Sequence, residues 1–150
     1  MDKTVVLLLL ALWMPGTVGT NDKFSPTGSN NLKASRCTRG MKSSYPGHDY
    51  KLTYEPNADV FALCDVKTDN GGWIIFQRRK FGNANFEKNY NSYVNGFGDL
   101  FNDYWLGLNA LRNLTSSGTW EMRIDVKDGS SWLYRTYTNF RIGTATEKYG

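Results

Sequence analysis

From Trp120 to Val126 the chain alternates without a break, with Trp120, Met122, Ile124 and Val126 in one phase and Glu121, Arg123 and Asp125 in the other. An extended strand puts every second side chain on one face, so this stretch predicts a strand half-buried on its apolar side. Asp128-Gly129-Ser130 then supplies turn chemistry, and the aromatic-rich stretch from Trp132 to Phe140 follows as a second strand. The two are expected to form an antiparallel hairpin. A hairpin alone is marginal in water, so this one needs neighbours to bury its apolar face.

The neighbours lie upstream. Val60 to Cys64 and Trp73 to Gln77 are short apolar runs separated by a stretch that includes Thr68-Asp69-Asn70-Gly71-Gly72. Asn and Gly tolerate positive φ, which predicts a strand, turn and strand unit. Over Phe86 to Tyr93 the period changes. Aromatics at 86, 90 and 93 predict a short helix closed by Gly96 or Gly98. Tyr104 to Leu114 predicts another, with Leu108, Leu111 and Leu114 on one side and Ser116-Ser117-Gly118 closing it. Gly107, between Leu106 and Leu108, suits close helix packing. Antiparallel strands with short helices make the fold class α+β. With 40% hydrophobic and 15% aromatic side chains, 150 residues suffice to build one real core, and this is not a disordered tail.

At the N-terminus, an apolar run from Val5 to Met14 follows Lys3 and ends at Pro15-Gly16, with small residues at Thr17 and Gly19. This reads as a secretory signal over residues 1–19, cleaved before Thr20; the run falls short of the ~20 residues that a membrane span needs. Residues 20–36, rich in Asn, Ser, Gly and Thr, read as a flexible leader, and residues 37–150 as the folded module. Export places the only two cysteines, Cys37 and Cys64, in an oxidising compartment, where a disulfide between them is the default. Two separated sulfurs and the single His48 do not assemble the four ligands zinc prefers.

The net charge of +4 arises from interspersed basic residues, with one tight cluster at Arg78-Arg79-Lys80. Without a nucleic-acid reading motif, that charge does not point to DNA or RNA. There is no metal-ligand motif, nucleophile elbow or phosphate loop, so no enzyme is expected. Asp125 and Asp128, beside a turn, read as solvated surface carboxylates. Asn113-Leu114-Thr115 is a sequon, which makes Asn113 the candidate glycosylation site of an exported protein.

A further series stands in order: Cys64-Asp65, Thr68-Asp69, Gly71-Gly72-Trp73, Phe76-Gln77-Arg78-Arg79, Asn95-Gly96-Phe97-Gly98, Trp105-Leu106-Gly107-Leu108, then Phe140 with Gly143, Glu147, Lys148 and Tyr149. These blocks resemble the fibrinogen C-terminal domain, over Cys37 to Gly150 and most strongly from Cys64 onward. The family includes fibrinogen chains, ficolins, angiopoietins, tenascins and invertebrate defence lectins. Where it usually shows Ser-Gly-Xaa-Tyr, this sequence has Pro46-Gly47-His48-Asp49-Tyr50.

The resemblance implies a disulfide-stapled, secreted, non-catalytic recognition domain, with the family's matching pair at Cys37 and Cys64. It also implies that the domain is truncated to about its first half. The family's calcium site, second disulfide and main ligand pocket then lie outside these residues. No cofactor, metal or ligand-binding residue is therefore carried over, and calcium-dependent binding of acetylated sugars is not expected. The leader has neither a collagen-like repeat nor a heptad coil, which fits a stand-alone innate-immune lectin that binds glycans or acetylated groups. The alternative is an extracellular matrix or receptor-binding signalling ligand. Oligomeric state and ligand identity are left open by the sequence.

Overall fold

The computed structural model describes residues 5–13 through their backbone, 36–42, and 49–150. The strands are β1 (Val5–Trp13), β2 (Tyr50–Glu55), β3 (Val60–Asp65), β4 (Trp73–Arg79), β5 (Phe97–Gly98), β6 (Tyr104–Trp105), β7 (Thr119–Asp128) and β8 (Ser131–Tyr137). Two short helices, α1 (Tyr90–Asn95) and α2 (Leu108–Leu114), lie between them in sequence. The sheet runs β2-β3-β4-β1-β7-β8, with β6 paired to β4 and β5 to β6. Every pairing is antiparallel. The expected leader region 20–35 and His48 lie outside the described residues.

The turn between β3 and β4 behaves as its residues dictate. Asp69, Asn70, Gly71 and Gly72 all take positive φ, and the Asp65 carboxylate accepts the N–H groups of Lys67 and Thr68 at 2.8 and 2.9 Å. A Cβ on Gly72 would stand 2.5 Å from the Arg39 amide nitrogen. The bare glycine therefore lets the 38–40 segment lie on the turn, where the Gly40 N–H donates to the Asn70 carbonyl at 2.8 Å. That contact brings Cys37 to Cys64. The two are disulfide-bonded, Cα to Cα 5.4 Å. The Cys37 N–H also donates to the buried Glu55 carboxylate at 2.7 Å, and burial pushes that carboxyl above its ordinary pKa.

β4 explains why the core has two parts. Ile74 and Phe76 join Cys37, Cys64, Leu111, Leu114 and Trp120 in one cluster. Trp73 and Ile75, in the opposite phase, join Leu63 and Tyr104 in another. Both faces of β4 are thus covered, which is why its sequence runs apolar over Trp73 to Phe76 rather than alternating.

Two helices begin later than their spacing predicts. α1 starts at Tyr90, because Asn89 caps it by accepting the Ser92 N–H at 2.9 Å. Phe86 lies before the helix and packs edge-on against Phe97. α2 starts at Leu108. Tyr104 and Trp105 are strand instead, pinned by the Tyr104 hydroxyl donating to the Ile75 carbonyl at 2.7 Å. The expected close packing at Gly107 is present: its φ is 108°, and a Cβ there would stand 2.9 Å from the Asn95 and Gly96 backbone. β8 stops at Tyr137, short of Phe140, whose N–H turns back to the Trp120 carbonyl at 2.8 Å.

The loop after β4 closes on one carboxylate. Asp103 is buried and accepts the backbone N–H groups of Lys80, Phe81, Gly82 and Asn83, the shortest at 2.6 Å. Burial opposes its charge, yet these donors together outweigh burial and hold the pKa below the usual 3.8. A depressed folded pKa contributes stability above the unfolded value, and that stability is lost as pH falls through the folded one. Asp103→Asn, with one acceptor oxygen in place of two, is expected to cost about 1–2 kcal/mol at neutral pH. Thermal melts should show the gap to the parent narrowing below pH 3.8. A gap independent of pH would disprove this account.

Candidate recognition surface

The β7–β8 hairpin turns on Gly129 and Ser130, with Asp128 facing Ser131 and Gly129 at φ 56°. Its register places Met122, Ile124 and Val126 opposite Tyr137, Arg135 and Leu133 on one face. Arg123, Asp125 and Lys127 stand opposite Thr136, Tyr134 and Trp132 on the other. The strand and hairpin are as expected, but the burial is inverted. Arg123 and Asp125 are only 7% and 8% exposed, whereas Ile124 and Val126 are half-buried.

The inversion has two causes. On the polar face, Arg123 Nε and Nη2 donate to the Asp125 carboxylate at 2.9 and 3.0 Å, and Nη1 pairs with Asp69 from the β3–β4 turn. The Tyr134 ring lies 4.0 Å from the guanidinium and covers it. Burial works against the Arg123 charge, but Asp125 and Asp69 together raise its pKa above the ordinary value. Asp125 is therefore a paired, buried group, which corrects its reading as a solvated surface carboxylate; Asp128 is exposed as expected. On the apolar face, Trp120 shares a cluster with Leu111 and Leu114 of α2, and cover fails farther along β7.

Beyond that cover, Ile124, Val126, Leu133, Tyr134, Arg135 and Tyr137 line an open groove of about 530 Å³. All of β8 is exposed, including Trp132 at 55% and Tyr134 at 61%. The groove offers aromatic rings, aliphatic walls and one guanidinium. It suits apolar or planar surfaces, and it brings no acid and base together for catalysis.

Asn113 is exposed on α2, but the rest of its sequon is buried: Thr115 donates its hydroxyl to the Leu111 carbonyl at 2.8 Å and accepts the Ile142 N–H at 3.1 Å. The basic cluster is not an open patch, because Arg78 is buried and donates to the carbonyls of Leu100 and Asn102. Among the described residues no three His, Cys, Asp or Glu side chains are grouped to hold a metal. No described helix is long and apolar enough to cross a membrane. Sequence reasoning missed the Arg123–Asp125–Asp69 cluster. An Arg and an Asp two apart on a strand share a face, which was the available signal.

The profile described as fibrinogen beta and gamma chains, C-terminal globular domain, matches residues 34–150. Ryncolin-4 of Cerberus rynchops is 42% identical over 67% of this chain and 29% of its own length. Mouse tenascin is 42% identical over 89% of this chain and 6% of its own. Among solved structures, the fibrinogen-like globe domain of human ANGPTL6 superposes with a TM-score of 0.64 at 30% identity, covering 69% of this chain and 48% of that one. That of human ANGPTL2 gives 0.60 at 34% identity, covering 69% and 50%. The protein thus spans about half of these solved domains and under a third of these curated relatives.

Proposed function

Because this protein belongs to the family of the C-terminal globular domains of fibrinogen beta and gamma chains, we propose that it is a secreted, lectin-like recognition protein that binds glycans or acetylated surface groups without catalysis. The observation that carries this reading is the apolar groove along β7 and β8, whose lining includes the exposed Leu133, Tyr134 and Tyr137. Aromatic rings offer flat apolar surface to the C–H faces of a sugar, and Arg135 adds a donor for its oxygens. Residues 1–19 act as the export signal in this proposal, residues 20–36 as a leader, and Asn113 as an attachment point for an N-glycan.

Retention of the protein on N-acetylated resin, and screening on a glycan array with and without chelator, test the reading. Retention is expected to be insensitive to calcium. Tyr137→Ala should weaken it about tenfold, while an exposed site changes stability by no more than about 0.5 kcal/mol. Absence of binding to any glycan, with capture of an extracellular protein instead, would overturn it in favour of a matrix or receptor-binding ligand.

A further inference from the structure

Glutamate is seldom fully buried unless it is paired, yet Glu55, the last residue of β2, is only 1% exposed. Its two oxygens fare differently. Oε1 accepts the Cys37 N–H at 2.7 Å, and the Thr53 hydroxyl shares its proton between Oε1 and the Ala62 carbonyl, 3.2 Å from each. Oε2 is buried with no hydrogen-bond partner among the described residues. Its ion-pair partner is Arg36, whose Nε stands 3.9 Å away on a side chain 43% exposed to water. Solvent screens such a pair, so it offsets little of the cost of burying the charge.

The other described groups around the carboxyl do not make up the deficit. Val60, its register partner on β3, is apolar. Lys51 shares its strand and face but lies about 13 Å along the extended chain, and Asp59 in the β2–β3 turn is engaged by the Tyr54 hydroxyl. A proton on Oε2 removes the buried charge, while Oε1, then the carbonyl oxygen, keeps the Cys37 N–H. Neutral Glu55 therefore suits the closed structure better than the anion does. Burial outweighs the hydrogen bonds from Cys37 and Thr53 and the field of Arg36, and the carboxyl sits above its ordinary pKa of 4.5.

The backbone that this carboxyl holds is the segment 36–42, which the Cys37–Cys64 disulfide and the Gly40 N–H also fasten. When the segment lifts about its disulfide tether, water reaches Glu55 and the ordinary pKa returns. The closed form then binds more protons than the open one between pH 4.5 and the raised pKa, so closure strengthens as pH falls through that window and weakens as it rises. We propose that Glu55 makes the segment 36–42 an acid-tightened latch, firm on the neutral carboxyl and loosened on the carboxylate. The opposite acid effect at Asp103 falls below pH 3.8, outside this window.

Amide hydrogen exchange read by NMR tests the latch, with each rate divided by the intrinsic rate at the same pH. Protection of the Cys37 and Gly40 N–H groups is expected to rise on acidification from about pH 7.5 to about pH 5, by up to about tenfold per pH unit, the limit for one proton. The Leu106 N–H, bonded to the Phe76 carbonyl at 2.8 Å in the sheet, should not follow. Glu55→Gln, neutral at every pH, should hold Cys37 and Gly40 at the parent's acid level throughout. A flat or inverted profile in the parent, the same change at Leu106, or a Glu55→Gln profile that copies the parent's would overturn the proposal. Should the variant lose its fold, the carbon-13 shift of the Glu55 carboxyl in the parent decides. Its midpoint is expected above 4.5 and coincident with the change at Cys37; a midpoint at or below that value, or one that does not coincide, would show that Glu55 does not set the latch.

Discussion

Arg123→Ala is expected to lower the unfolding free energy by about 3–5 kcal/mol, the range for removing one partner of a buried ion pair. The loss is large because the substitution strands Asp125, which is 8% exposed and relies on two charge-assisted hydrogen bonds from Arg123. It also removes the cation from the Tyr134 ring and frees the β3–β4 turn, which Asp69 ties to β7. The double variant Arg123→Met/Asp125→Leu removes both buried charges together. It should recover most of the loss, because an ion pair replaced by apolar residues of similar volume is often close to neutral. Urea unfolding followed by tryptophan fluorescence measures both. If the double variant is as unstable as the single one, desolvation of Asp125 is not the cause and the explanation fails.

Cys37→Ala/Cys64→Ala should be comparably damaging, at about 3–4 kcal/mol in the chain-entropy account for a closed loop of 27 residues. Both half-cystines are buried, at 1% and 0% exposure, so their removal also loosens packing beside Ile74 and Leu111. The segment they anchor has two other ties, the Cys37 N–H to Glu55 and the Gly40 N–H to the Asn70 carbonyl. A loss below about 1 kcal/mol, well under the entropic expectation, would mean that these ties hold the segment without the covalent bond. Trypsin sensitivity at the exposed Arg36 and Arg39 offers a second readout, because release of the segment frees its backbone to extend into the protease.

Much of this architecture is legible in the sequence. Trp120 to Val126 reported its strand through alternation, the Asn70-Gly71-Gly72 stretch reported its turn through tolerance of positive φ, and the ordered blocks from Cys64 onward reported the family. These are local properties: a residue carries its φ preference, and a run its period, wherever the backbone goes. The helix starts were misplaced because Asn89 and Tyr104 act through specific hydrogen bonds, which period alone does not register.

The sequence by itself determined which side chains share a face, where the backbone turns, and to which family the protein belongs. Tertiary structure alone decided which face is covered. Alternation divides Arg123 and Asp125 from Ile124 and Val126, but burial of the charged phase depends on Asp69, 54 residues away, and on the Tyr134 ring across the hairpin. In the same way, nine apolar residues at the N-terminus satisfy the requirements of a leader and of a strand in the middle of a sheet. Only the seam between β4 and β7 shows where such a segment pairs. Periodicity describes one element at a time, whereas burial is a relation between elements, and the partner that completes it is set by how the whole molecule packs.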